Sequence, residues 1–219
     1  MRRNVVVSGV LIAAFALVVV VVALATRTSP GGNNEEAAST SSAVSVVRKD
    51  SHVLSDAGEE APVLVEFLDF ECEACGAAYP FVEQVREEYA GELTFVVRYF
   101  PIPSHANSMN AAVAVEAAAQ QGRFEEMYAR MFQTQTEWGE QQESKAPLFR
   151  EFAEDLGLDM EAYDAAVADP AAQQRVEQDR QDGMALGVQG TPTFFLDGEL
   201  LRPTSEDDFR AQIDAALNG

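Results

Sequence analysis

Cysteine is almost missing from this chain of 219 residues: only Cys72 and Cys75 occur. Two cysteines three positions apart exclude a disulfide scaffold and leave the pair either chemically active or incidental. Histidine is as scarce, at His52 and His105. A zinc centre would need both histidines with both cysteines. Their offsets, 20 residues before Cys72 and 30 after Cys75, match no familiar zinc spacing. Positive charge is short as well, with 15 Lys+Arg against 36 Asp+Glu and a formal net charge of −21. Such a balance repels phosphate backbones and anionic lipid, so nucleic acid is excluded as a partner. Hydrophobic residues at 47% and charged residues at 23% are near the globular average, which excludes wholesale disorder and a fibrous protein. Nothing in the chain repeats, and its length allows one or two domains.

One long apolar run is present. Val5 to Ala25 carries no charge over 21 residues, enough for about 31 Å of helix, the depth of a bilayer's hydrocarbon core. Arg2 and Arg3 before it favour an N-terminus inside and the remainder outside. Residues 1–27 are therefore expected to form a single-pass transmembrane helix. A cleavable signal peptide is the rival, because Ala23-Leu24-Ala25 suits cleavage after small residues. Its apolar region would exceed the usual length of roughly 7–15 residues. Both readings export the remainder of the chain. Residues 28–43 are rich in Gly, Ser and Asn without apolar periodicity, a flexible linker. The folded domain is expected over 44–219.

Within that domain, Val63 to Phe70 is a short apolar run behind Pro62 and reads as a buried strand. A helix is expected from about Glu73 to Tyr89, ended by Gly91, and a second strand from Leu93 to Phe100. Strand, helix and strand in so few residues make a βαβ unit with a parallel pair. From about 104 to 187 alanine, glutamate and glutamine dominate, predicting helices near 106–120, 122–135, 145–156, 160–168 and 171–186. Thr193–Leu196, Asp197-Gly198 and Glu199–Leu201 read as a hairpin, and Glu206–Leu217 as a last amphipathic helix.

The motif Phe70-Glu71-Cys72-Glu73-Ala74-Cys75 puts both thiols where a strand gives way to a helix. Unpaired N–H groups and the positive end of the helix dipole favour a thiolate on Cys72. Cys75 lies one turn further in, within disulfide reach. The pair can thus alternate between dithiol and disulfide through a mixed disulfide. Only Cys72 is expected to face solvent. As a purely structural bridge the same pair would add only about 2 kcal/mol, since the loop is so short. Glu71 and Glu73 are expected to oppose the thiolate, each by tenths of a kcal/mol to about one. The Cys72 pKa should then fall below about 8.5 without becoming extreme.

Far along the chain, Gly190-Thr191-Pro192-Thr193-Phe194 opens the hairpin with a proline, by itself an ordinary edge or turn residue. Joined to the cysteine motif and the β-α-β, helical block, β-β-α order, it resembles the thioredoxin superfamily. Within that superfamily it is similar to the DsbA-like thiol–disulfide oxidoreductases, over about residues 50–219. The resemblance implies a thioredoxin fold with an inserted helical subdomain. It also implies a cis Pro192 beside Cys72, and Thr191 backbone that pairs with an extended substrate. Cys72 would attack, Cys75 resolve, and Glu66, six residues before Cys72, pass a proton to the resolving thiol. An edge-exposed glutamate is the plainer reading of Glu66. His52 and His105 fall where this subfamily often has histidine, and are expected to be exposed or capping. Between the cysteines stands Glu73-Ala74, where strongly oxidising members carry Pro-His. A potential between about −120 and −270 mV is expected.

The implied activity is extracytoplasmic formation or reshuffling of disulfides in exported proteins, with a membrane redox partner recycling the pair. No cofactor and no metal are expected. The reverse activity, a disulfide reductase serving for example cytochrome maturation, and a non-enzymatic tethered binding module are the alternatives.

Overall fold

The computed structural model describes residues 44–219, which form one compact unit. The expected anchor at 1–27 and linker at 28–43 lie outside the described residues. Among the described residues no helix is long and apolar enough to cross a membrane.

The chain builds β1 (His52–Ser55), β2 (Val63–Leu68), α1 (Glu73–Glu88) and β3 (Thr94–Tyr99). A block of six helices comes next: α2 (Ser108–Ala119), α3 (Phe124–Gln133), α4 (Gln135–Trp138), α5 (Ala146–Asp155), α6 (Met160–Ala168) and α7 (Pro170–Ala185). The chain closes with β4 (Thr193–Leu196), β5 (Glu199–Leu200) and α8 (Glu206–Leu217). Five strands form one sheet in the order β1-β3-β2-β4-β5. β2 is the middle strand, parallel to β3 from Val63↔Thr94 to Leu68↔Tyr99, and antiparallel to β4 from Leu64↔Leu196 to Phe67↔Thr193. This is the α/β thioredoxin fold with its helical insertion between β3 and β4.

β1 is an element the hydropathy pattern did not show. Four residues, His-Val-Leu-Ser, are too few for a period to register, and Val53 faces water. Pairing to β3, with a register shift between Val53 and Ser55, makes it a strand.

Layering explains the apolar runs of β2 and β3, because helices cover both faces of the sheet. Along β2 the side chains alternate. Leu64 and Leu68 join the large core with Cys75, Val82, Val85 and the helical block. Val65 and Phe67 join a smaller core with Val96, Phe100 and Phe195. Glu66 shares the face of Leu64 and Leu68, the side on which α1 packs.

A buried charge cluster ties the layers together. Arg98 on β3, wholly buried, donates to Asp179 at 2.8 Å and Asp182 at 2.6 Å on α7. It also donates to the carbonyl oxygens of Ser45 and Val46 at 3.1 and 3.0 Å. A buried guanidinium needs such partners to offset its lost hydration, and here they fasten the first described residues to the sheet.

Candidate functional site

The site begins where β2 ends. Cys72 is the N-cap of α1: its N–H donates to the Asp69 carbonyl at 3.1 Å, and its own carbonyl accepts from Gly76 N–H at 3.1 Å. Cys75 sits in the first turn, and both cysteines are free thiols. Sequence spacing left Cys72 open to solvent; instead it is only 8% exposed, against 1% for Cys75. The loop before β4 covers it. Cys72 Sγ donates to the Thr191 carbonyl at 3.4 Å, and the Thr191–Pro192 bond is cis. Two motifs 119 residues apart in sequence thus meet at one sulfur.

Their electrostatics are opposite. The Cys72 pKa is lowered to about 5, chiefly by a hydrogen bond from the Cys75 thiol. Burial works against it, and Thr191 with the N–H groups of Cys75 and Ala74 adds to the lowering. The Thr191 hydroxyl is buried with no other partner, so it is free to serve the thiolate while the carbonyl serves the thiol. Cys75 is pushed well above the ordinary thiol value, first by burial and then by its neighbours, Glu66 among them. The shift on Cys72 is deeper than the helix start alone supplies. Glu71 and Glu73, expected to oppose it, are not among its leading causes. Glu71 turns inward instead: it is 2% exposed, and its Oε2 accepts from Asn107 N–H at 2.6 Å.

Glu66 is no edge residue. On the middle strand, 2% exposed, it is pushed up to about 8 by burial, with the charge of Glu83 acting the same way.

Around the pair is a support that sequence reading missed. Gln135, at the start of α4, donates from Nε2 to the carbonyls of Phe70 at 2.7 Å and Cys72 at 2.8 Å. Asp69, wholly buried, accepts from Glu71 N–H and Ile102 N–H, both at 2.9 Å, and pairs with His105 Nδ1 at 2.7 Å. Burial raises its pKa to about 6 despite those bonds. His105 is therefore a partner of the cysteine loop rather than a free or capping residue. His52 is placed elsewhere, bonded to Glu116 at 2.8 Å and Tyr99 at 3.0 Å and stacked on Phe124. The only available signal was an acid three residues before Cys72; Gln135 left none, since its partners are main-chain atoms 63 and 65 residues away.

Gly76 is what lets Gln135 in. A Cβ there would lie 1.9 Å from Gln135 Oε1. Gly76→Ala is expected to pull the amide off both carbonyls and lower stability in urea by about 1–3 kcal/mol. A variant as stable as wild type would mean the amide moves aside without releasing the loop.

Two recesses are lined by residues of the two motifs and their neighbours. One, about 490 Å³, runs along Gln189, Thr191, Pro192, Phe194 and Arg202. The other, about 180 Å³, lies between Glu71, Glu73, Gln135 and Glu140.

The family model described as thioredoxin matches residues 57–215. Among curated proteins, the Na(+)/H(+) antiporter NhaA 1 of Mycobacterium sp. (strain KMS) is 38% identical over 154 residues, 68% of this chain and 24% of that protein. NhaA of Herminiimonas arsenicoxydans is 38% identical over 143 residues, 64% of this chain and 21% of that protein. The chain spans about a quarter of the length of these relatives. Among solved structures, BdbD from Bacillus subtilis superposes with a TM-score of 0.67 at 18% identity, covering 77% of this chain and 94% of that one. Alpha-DsbA1 of Wolbachia pipientis gives 0.66 at 17%, covering 78% and 93%. A thioredoxin-like oxidoreductase from Silicibacter pomeroyi DSS-3 gives 0.66 at 23%, covering 80% and 97%. At such identities the likeness is one of fold.

Proposed function

The chain belongs to the thioredoxin family, and from that premise we propose that it is an extracytoplasmic thiol–disulfide oxidoreductase that forms or reshuffles disulfides in exported proteins. One observation carries this reading: two thiols with opposed pKa shifts meet beside Thr191 and Pro192, with Cys72 held at about 5 and Cys75 pushed far up.

The steps follow from that asymmetry. A substrate thiolate attacks Cys72 Sγ of the oxidised pair, the Cys72–Cys75 bond breaks, and Cys75 leaves with the electron pair. Its high pKa demands a proton. Glu66, which keeps its own proton to about pH 8 and whose charge bears on Cys75, is the donor in this reading. A second substrate thiolate then attacks the substrate sulfur of the mixed disulfide. Cys72 departs as a stable thiolate, a good leaving group. Two electrons pass from the substrate dithiol to the pair, and a membrane redox partner removes them. The groove along Thr191 and Pro192 would hold the substrate backbone in extended form.

Trapping tests the reading. Cys75→Ser should accumulate mixed disulfides with exported proteins, and Cys72→Ser should not; trapping by Cys72→Ser alone would reverse the roles. An equilibrium potential near thioredoxin's, about −270 mV, would turn the direction toward reduction. In the same reading residues 1–27 hold the domain to the membrane from outside the cytoplasm. Fractionated membranes should yield the chain with its N-terminus intact, and a mature chain beginning at Thr26 would replace the anchor by a signal peptide. The relatives' name describes proteins that this chain matches over about a quarter of their length, and no ion transport is proposed for it.

A further inference from the structure

The chemistry drawn from Cys72, Cys75, Glu66 and Thr191 leaves one buried acid, Asp69, without a task. Its side chain is wholly buried, one residue past the end of β2 and three before Cys72. The ladder between β2 and β3 runs out there. Phe100 N–H still donates to the Leu68 carbonyl at 2.7 Å, but the following donor, Ile102 N–H, goes to Asp69 Oδ2 at 2.9 Å. Asp69 Oδ1 accepts from Glu71 N–H, also at 2.9 Å. The main chain of the same residue meets both cysteines. Its carbonyl accepts from Cys72 N–H at 3.1 Å. Burial raises the Cys75 pKa, and the Asp69 N–H works against that rise by a hydrogen bond to the Cys75 sulfur. One more bond comes from outside the turn: His105 Nδ1 lies 2.7 Å from Asp69 Oδ2, on a side chain that is 30% exposed. A wholly buried carboxylate needs such partners to offset its lost hydration.

We propose that His105 and Asp69 are positioning residues for the redox pair: the imidazole fixes the buried carboxylate, and the carboxylate fixes the turn that seats both cysteines. The proposal rests on the reading of Cys72 as the reacting thiol and adds two residues to its machinery. A rigid turn matters because the groups that lower the Cys72 pKa act through single hydrogen bonds. The Cys75 thiol comes first, then Thr191 and the N–H groups of Cys75 and Ala74. Bonds of that kind weaken steeply once distance and angle depart from the ideal. Gln135 grips the same turn at the Phe70 and Cys72 carbonyls, but it leaves the Glu71 N–H to the carboxylate. His105 and Asp69 thus act on the sulfurs at one remove, through the main chain. Because His105 is partly exposed, it can be replaced without opening a cavity in the core.

The test uses the reduced full-length protein, with alkylation of Cys72 followed against pH. His105→Ala removes the ring donor and should raise the Cys72 midpoint by about half a unit to one unit. The equilibrium constant for reduction of the pair by glutathione should fall with it, by up to about tenfold. His105→Asn puts an amide N–H where Nδ1 stood and should reverse most of both effects. His52→Ala, which strips the other histidine from Glu116 and Tyr99, is the control: it should lower stability in urea without moving Cys72. On an Asp69→Asn background, if that protein folds, His105→Ala should add little, because its route runs through the carboxylate. The single His105 variants decide the matter if it does not fold. A midpoint and a glutathione equilibrium that His105→Ala leaves alone overturn the proposal, whatever the loss of stability. So does a His105→Asn shift as large as that of His105→Ala, because that marks the charge or bulk of the ring rather than its hydrogen bond. A wild-type midpoint near the ordinary value of about 8.5 is a different failure, one that removes the oxidoreductase reading and this proposal with it.

Discussion

In the reduced protein Cys72 alone should react with a soft alkylating agent, at a rate that holds steady down to about pH 6 and falls away through about pH 5. The reason lies in the order of the causes. The largest is the hydrogen bond from the Cys75 thiol, ahead of Thr191 and the N–H groups at the start of α1. Removing that donor with Cys75→Ala should raise the ionisation of Cys72 by about one to two pKa units, the value of one hydrogen bond to a charged group. Cys75→Ser keeps a hydroxyl donor and should raise it less. Cys72→Ser should abolish alkylation at neutral pH, because the remaining Cys75 is buried and pushed far up. The potential tracks the thiolate. Ionisation at about 5 in place of about 8.5 favours the reduced pair at pH 7 by roughly 2.7 kcal/mol. Solvent screening at a partly accessible sulfur reduces this to about half, or about 30 mV. The pH dependence of alkylation, followed by mass spectrometry, measures all of this. A wild-type midpoint near 8.5 would remove the activated nucleophile and with it the proposed chemistry.

Glu66→Gln should stabilise the reduced protein at pH 9 and leave it unchanged at pH 4. The folded-state pKa of Glu66 is raised to about 8, while an unfolded glutamate ionises near 4.3. Between those values the folded chain holds a proton that the unfolded chain releases. Stability is therefore greatest below the unfolded value and declines as pH rises toward 8, where burial of the carboxylate weighs in full. The shift corresponds to a loss of up to about 5 kcal/mol. Glutamine fills the same space with no charge to bury and should flatten that part of the profile. Urea unfolding of both proteins across the pH range gives the difference directly. Parallel profiles would mean that Glu66 ionises as an ordinary glutamate, and the proton-donor role would fall with its raised pKa.

How much of this could be read in the chain beforehand depends on the range of the forces involved. The βαβ unit was legible because period and punctuation are local: Pro62 before the apolar run, Gly91 after the helix, Pro101 after the next strand. The position of Cys72 at a helix start was legible for the same reason, as was the proline at the head of β4. β1 was not, because four residues with polar ends carry no pattern until β3 pairs with them. The depth of the Cys72 shift was not either. Local rules foresaw the helix dipole and the two adjacent glutamates. Folding turned Glu71 inward onto Asn107 and set the Cys75 thiol and Thr191 against the sulfur.

By itself, then, the sequence determined the order of elements from β2 onward, the strand-to-helix seat of the cysteines and the family to which they belong, all properties written in neighbouring residues. Only the tertiary structure decided which atoms meet. It brought Thr191 to Cys72 across 119 residues, Gln135 to the loop across 63, and Glu116 to His52 across 64. It buried Glu66 and Asp69, and turned the Glu71 carboxylate inward with one oxygen unpaired. Those outcomes depend on burial and on partners distant in sequence. A pKa or a hydrogen bond is set by what surrounds a group in space, and that surrounding exists only once the sheet and the helical block have closed on each other.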